Sequence, residues 1–236
     1  MFAFLLLACT GSPPDDTADT ADSGDPACHG DLAAGATEVV ASGFEEGTEG
    51  ISFVEGRLFV SHPGGVDEIV DGQRSALVEL DSALGLAPAP GGLYVAAPGE
   101  FTLDGSGDDG SLLFVGLDGE VQTLGAGMPN PNFVATLGDT QLVSDDTAAI
   151  YTVRDGVVQT WTDAVPSPNG MVVEGDEVYV LSTFVQEPPL WRVPLSGGVP
   201  PSVSIWDESG RETDTLSLAS CVVDVVCVLR AGTVAE

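Results

Sequence analysis

Side chains able to do chemistry are few in this chain of 236 residues: four cysteines, two histidines (His29 and His62) and six basic residues, every one of them arginine. No CxxC pair occurs, and two histidines do not make a zinc site of ordinary composition. No serine stands in a GxSxG elbow and no Gly-rich phosphate loop appears, so serine-hydrolase and P-loop chemistry are unsupported. His62 follows a strand-like run ending at Ser61 and reads as a surface residue. What remains is oxygen. Glu49 opens an apolar run, and Asn132 and Asn169 open two later ones in the same phase. In either asparagine the bland alternative is a turn residue after proline that starts a strand. The stretch Asp104-Gly-Ser-Gly-Asp108-Asp109-Gly110 spaces acids like a calcium loop. Its twelfth position is Val115 rather than the bidentate Glu an EF-hand needs, so it reads as an acidic loop between strands.

The elements that would position these residues are strands. Five segments share one pattern, a short apolar strand, a Gly or Asp turn, then a β-branched or aromatic strand. They begin at Glu49, Ala87, Asn132, Asn169 and Leu216, a period of about forty residues. A second element recurs in phase, Val66 to Gly72, Leu113 to Gly119, Tyr151 to Gly156 and Trp191 to Gly197, the first three ending in Asp-Gly. Another short strand follows each, which makes four strands per repeat. No stretch holds a 3.6-residue period over three turns. The expected fold is therefore all-β, a β-propeller of about five four-stranded blades (six also compatible), the ring closed by an N-terminal strand around Thr37 to Ser42. A sandwich is the competing architecture, and the repeat spacing counts against it. Trp161, Trp191 and Trp206 are expected to pack blade against blade.

Composition excludes several partners. The formal net charge is −31, from 37 acids against six cations, so nucleic acid and anionic lipid headgroups are poor electrostatic partners. With 43% hydrophobic residues the chain is too apolar for a disordered acidic polymer. Such acidity favours solubility and a monomer, and tolerance of salt.

Residues 1–8, MFAFLLLA, read as a secretory signal, and Leu6-Leu7-Ala8-Cys9 resembles a bacterial lipobox. Cys9 would be lipidated, and residues 9–30, with five aspartates between Thr10 and Ala27, would form an acidic flexible tether to a propeller over 31–236. Thr10, where an inner-membrane signal would carry Asp, points to the outer membrane, with the domain facing the periplasm or the cell surface. The membrane is then contacted through the lipid alone. Cys221 and Cys227 flank Val222 to Val226, so a hairpin could place them opposite one another as a disulfide. Cys28 is the competing partner for either.

Thr48-Glu49-Gly50-Ile51, followed by Gly56-Arg57-Leu58-Phe59-Val60, pairs an acid and a glycine ahead of a hairpin. From Asp109 to Val153 come a small-residue loop, GSLLFVGLDGEVQTLG, Met128-Pro129-Asn130-Pro131-Asn132, a hairpin ending in Ser144-Asp145-Asp146, and Ile150-Tyr151. Ser167-Pro168-Asn169-Gly170-Met171 follows one repeat later. These motifs resemble the senescence marker protein/gluconolactonase family of β-propellers over most of Glu49 to Leu195. The resemblance implies a divalent ion, calcium foremost, at one end of the channel, with Glu49, Asn132 and Asn169 as ligands. The family's Asp, proposed there as the base in lactone hydrolysis, is replaced here by Asn169, whose amide ligates but cannot accept a proton. Ala87-Pro88-Ala89-Pro90 also stands where the family has a substrate-contacting Asn-Asp-Gly. Asp145, Asp146 or Asp214 could add charge, and Asp214, which opens the fifth repeat, is the favoured catalytic aspartate. The resulting expectation is a binding or scaffold propeller with a degenerate metal site. The alternative is a metal-dependent lactonase or esterase.

Overall fold

A computed structural model describes residues 39–44, 47–102, 104–147, 149–183 and 190–196, together with the backbone of strands at 202–203, 216–220 and 226–230. Four antiparallel four-stranded sheets follow one another along the chain, each a simple up-and-down meander. The first holds β1 (Ile51–Val54), β2 (Arg57–His62), β3 (Gly65–Val70) and β4 (Gln73–Glu79). The second holds β5 (Leu86–Ala89), β6 (Gly92–Ala97), β7 (Gly110–Gly116) and β8 (Val121–Met128). The third has β9 (Pro131–Leu137), β10 (Thr140–Asp145), β11 (Ile150–Arg154) and β12 (Val157–Thr162). The fourth has β13 (Pro168–Glu174), β14 (Glu177–Ser182), β15 (Leu190–Pro194) and β16 (Ser202–Val203). A two-stranded pair, β17 (Leu216–Ser220) and β18 (Val226–Arg230), follows.

The turns follow from the sequence. Glu55-Gly56, Asp71-Gly72 and Asp155-Gly156 each place two successive residues at positive φ, between 50° and 79°. Two left-handed residues make the type I′ turn whose twist matches a tight hairpin, and Asp-Gly is among the pairs that tolerate it best.

The sheets are arranged radially. The first strand of each packs beside the first strand of the next, β1 by β5, β5 by β9, β9 by β13 and β13 by β17. The core is correspondingly divided into layers between successive sheets. Val54, Phe59 and Val66 meet Leu86, Leu93 and Val95 between the first two sheets. Leu112 and Met128 meet Val134 and Val143 between the second and third. Leu142 and Ile150 meet Met171, Val178 and Val180 between the third and fourth. Neighbouring residues of one strand serve different layers: Leu113 belongs to the first and Leu112 to the second, Val143 to the second and Leu142 to the third. Side chains alternate across a strand, so a sheet buried on both faces needs continuous apolar runs such as that of β7. The chain is a β-propeller, and its described residues form four complete blades and, as the β17–β18 hairpin, part of a fifth.

Three expectations are corrected. Val39 to Ser42, the described part of the ring-closing stretch, is in no strand, and Val39 and Val40 are 69% and 46% exposed. The arm instead lies on blade one, where the Gly43 carbonyl accepts a hydrogen bond from Arg74 Nη1 at 2.5 Å. His62 is not a free surface residue: its side chain is 19% exposed, with Nε2 3.3 Å from Asp67 Oδ1. A β17–β18 hairpin is present, but its register pairs Cys227 with Ala219 and not with Cys221, so it does not set the two cysteines opposite one another as expected. Cys221, Cys28, Cys9, Trp206, Asp214 and the signal and tether segments lie outside the described residues.

Candidate functional site

At one end of the blades the chain repeatedly enters a first strand and leaves a second. Gly50 N–H donates to Ser61 Oγ at 2.7 Å, closing the entry to β1 against the exit from β2. Phe133 N–H donates to Ser144 Oγ at 3.1 Å in the same way, between β9 and β10. Glu49 precedes Gly50 and Asn132 precedes Phe133, so the two stand at equivalent places on their blades. Asn169 enters β13, within a register shift between Pro168 and Met171. A bulge of this kind re-aims the side chains beside it.

The group on which the two asparagines converge is Asp146, immediately past the end of β10. Asn132 Nδ2 donates to Asp146 Oδ2 at 2.7 Å, and Asn169 Nδ2 donates to Oδ1 at 3.2 Å. Its backbone is held as well: Asp146 N–H donates to the Asn130 carbonyl at 3.2 Å, and Ser167 Oγ donates to the Asp146 carbonyl at 2.6 Å. Burial pushes the Asp146 carboxyl up to about 6, the two amide donors oppose that rise, and the negative charges of Asp145 and Glu49 add to it. Glu49 is exposed at the rim, yet enough water is displaced around it to raise its own carboxyl. The four described arginines pair elsewhere, with Glu68, Asp67, Asp155 and Glu177.

Asn130 is the scaffold beneath. It is 1% exposed. Its amide donates to the Thr102 carbonyl and to Thr147 Oγ1, both at 2.8 Å, and its Oδ1 accepts from Thr102 N–H at 2.9 Å. Its own N–H donates to Asp145 Oδ2 at 2.6 Å, while Asp145 Oδ1 accepts from the N–H and hydroxyl of Thr147. One asparagine thus ties the β6–β7 loop to the β10–β11 connection that carries Asp146.

Two carboxylates and two amides are hard oxygen donors, suited to calcium rather than to a soft ion. The amides now turn nitrogen toward Asp146, and half a rotation of each presents its oxygen to the same space. Among the described residues no three His, Cys, Asp or Glu side chains form a ligand cluster, so a cation here would depend on the amides and water. Of the residues anticipated from sequence, Asn132 and Asn169 meet on one carboxylate and Glu49 acts on it through its charge. Asp146 was one of three charge-adding candidates and proves to be the centre. Asn130 was unmarked, although Asn between two prolines, in Pro129-Asn130-Pro131, is an unusual turn.

No family model matches the chain, and no curated protein matches it. The gluconolactonase-type resemblance therefore rests on the quoted motifs. Among solved structures, the chain is similar to one in a nidogen/laminin complex, at 16% identity and a TM-score of 0.49 over 61% of this chain and 60% of that one. It is similar to the computationally designed Ika8 protein at 11% identity and a TM-score of 0.48, over 76% of this chain and 55% of that one. BamB from Moraxella catarrhalis matches at 18% identity and a TM-score of 0.39, over 56% of this chain and 40% of its own. The chain spans less than two thirds of each of these three.

Proposed function

We propose that this β-propeller is a binding protein that takes a divalent cation, calcium by preference, at the mouth formed by Glu49, Asn132, Asp146 and Asn169, and that Cys9 anchors it by lipid outside the cytoplasm at the outer membrane. One observation carries the binding reading. Amides from two blades meet both oxygens of one part-buried carboxylate, and the charges acting on that carboxylate are negative. A bound cation relieves that repulsion, which is what favours it there. Two carboxylates and two neutral donors make a modest site, since affinity for a hard cation grows with ligand charge.

A second reading is supported by Asp146 itself. A carboxyl pushed up to about 6 accepts a proton near neutral pH, as a general base must. It supplies the function that Asn169 cannot, so a lactone- or ester-hydrolysing site remains the alternative. In either reading the cation, when bound, supplies positive charge to polarise an oxygen.

Calcium titration of the full chain by calorimetry tests the proposal, beside Glu49→Gln and Asp146→Asn. Saturable binding in the wild type, weakened at least about tenfold by each substitution, is expected; an equally weak signal from all three proteins rules it out. A lactone panel with and without chelator, run on the same samples, separates binding from turnover. Fractionation of cells carrying Cys9→Ser tests the anchor, and a variant that stays with the membrane excludes it.

A further inference from the structure

Phe44, five residues before Glu49 in sequence, lies on blade one, and blade one grips it. Asp67 of β3 is 5% exposed, and its carboxylate faces Arg74 Nε at 2.6 Å and His62 Nε2 at 3.3 Å. His62 Nδ1 accepts from Gly64 N–H at 3.1 Å, which leaves Nε2 as the hydrogen-bearing nitrogen turned to Asp67. Held by Asp67, Arg74 lays its guanidinium 4.1 Å over the ring of Phe44 and donates from Nη1 to the Gly43 carbonyl. The Phe44 ring also meets the His62 imidazole, with centroids 6.1 Å apart and planes at 56°. Phe44 is thus gripped between a cation and an imidazole that share one buried carboxylate.

Downstream, the chain is fixed again at Gly50, whose N–H donates to Ser61 Oγ, while that hydroxyl donates to the Leu84 carbonyl of blade two. Glu49 lies between the two fixed points. Its side chain makes no hydrogen bond or ion pair among the described residues, so the chain on either side sets its place. A cleft of about 730 Å³ opens beside the grip, lined in part by His62, Asp67, Arg74, Glu79 and Asp81. Residues 39–44 are in no strand, so lifting the arm breaks no strand pairing of the sheet.

We propose that the Phe44–Arg74–His62–Asp67 clasp is a positioning device for Glu49, coupling the arm on blade one to cation affinity at the mouth. Lifting the arm frees the chain before Gly50, and Glu49 then reaches the cation only at a cost in ordering. This inference rests on the cation reading above. Arg74 is a poor residue to remove, because Asp67 would be left buried beside His62 alone; Phe44 is the better one.

The test uses the full chain as Phe44→Ala and Phe44→Trp, with two readouts, amide hydrogen exchange at Gly47 to Gly50 without calcium and calcium affinity by calorimetry. Phe44→Ala is expected to speed exchange there about tenfold or more and to weaken calcium about five- to tenfold, with the denaturation midpoint unchanged. Phe44→Trp, which keeps an aromatic face over the guanidinium, is expected to restore both. Unchanged exchange in Phe44→Ala overturns the clasp, and faster exchange with unchanged affinity overturns the coupling. If the wild type binds no calcium, the cation reading and the coupling fall together, and the exchange readout still decides whether the clasp holds the chain before Glu49.

Discussion

Asp146 is the residue on which the site turns, and its protonation links site to stability. Burial, and then the charges of Asp145 and Glu49, outweigh the help of the two amides, so the folded chain holds this proton up to about pH 6 against an ordinary carboxyl value of 3.8. A group whose folded pKa is raised above its unfolded value contributes stability below the unfolded value and loses it as pH rises through the folded one. Stability owed to Asp146 is therefore full below about pH 4 and gone above about pH 6. Asp146→Asn removes that loss while keeping the shape. Without calcium the variant is expected to match the wild type near pH 4 and to exceed it by about 1 kcal/mol near pH 7, less than a dry site would give because solvent reaches the mouth. Urea unfolding at the two pH values measures this, and an equal difference at both removes the linkage. Calcium affinity of the wild type should fall as pH drops through the same window, because a protonated carboxyl is a poor ligand. Glu49, Asn132 and Asn169 were legible as a set because each opens an equivalent strand. That Asp146 and not Asp145 receives the amides was not, because it depends on a register shift at Pro168 and on a side chain from the next blade.

Elements meet at Asn130. The β6–β7 connection, residues 98–109, is long for a hairpin and exposes Phe101, yet Thr102 is pinned through both its N–H and its carbonyl to the Asn130 amide. Long connections with no strands of their own tend to be functional, and this one borders the connection that carries Asp146. Asn130→Ala removes three side-chain hydrogen bonds and leaves the Thr102 backbone to find water. A loss of about 2 to 3 kcal/mol is expected in chemical denaturation, with faster amide exchange at Thr102 than at the β7 core. Protection at Thr102 that survives the substitution would show that other contacts hold the loop. The hairpins themselves were readable, since Asp-Gly pairs between β-branched runs name their own turns. The strand expected around Thr37 to Ser42 was not realised in its described part: Val39-Val40 carries strand propensity, yet residues 39–42 pair with no strand. Propensity is local, and pairing is not. The arm's real partners, Arg74 and His62, are some thirty and twenty residues away in sequence, and no periodicity reports them.

The whole molecule depends on how closely first strands approach one another around the axis, and two glycines define that approach. A Cβ on Gly50 would lie 2.5 Å from the Leu84 carbonyl oxygen and 2.7 Å from Leu86 N, and one on Gly85 would lie 2.5 Å from the Asn132 oxygen and 2.6 Å from Phe133 Cα. Gly50 thus presses blade one onto blade two, and Gly85 presses blade two onto blade three. These obstacles are backbone, so no rotamer relieves them. Repeat spacing announced the blades, but only contact between blades shows that these glycines are spacers and not turn residues. Gly85→Ala must push β5 from β9, at an expected cost of about 3 kcal/mol, the upper range for overpacking. Gly85 N–H also donates to the Asn132 carbonyl at 2.7 Å, so the displacement reaches the residue that meets Asp146. The variant should therefore lose calcium affinity as well as stability. Gly175→Ala is the control, at φ 60° with open space around it: its cost is backbone strain alone, about 1 kcal/mol, and affinity should hold. Chemical denaturation and calcium titration of the two variants compare them directly. If both alanines cost the same and neither moves affinity, the first strands do not press on one another as a radial array requires, and the convergence of Asn132 and Asn169 on Asp146 loses the packing that produces it.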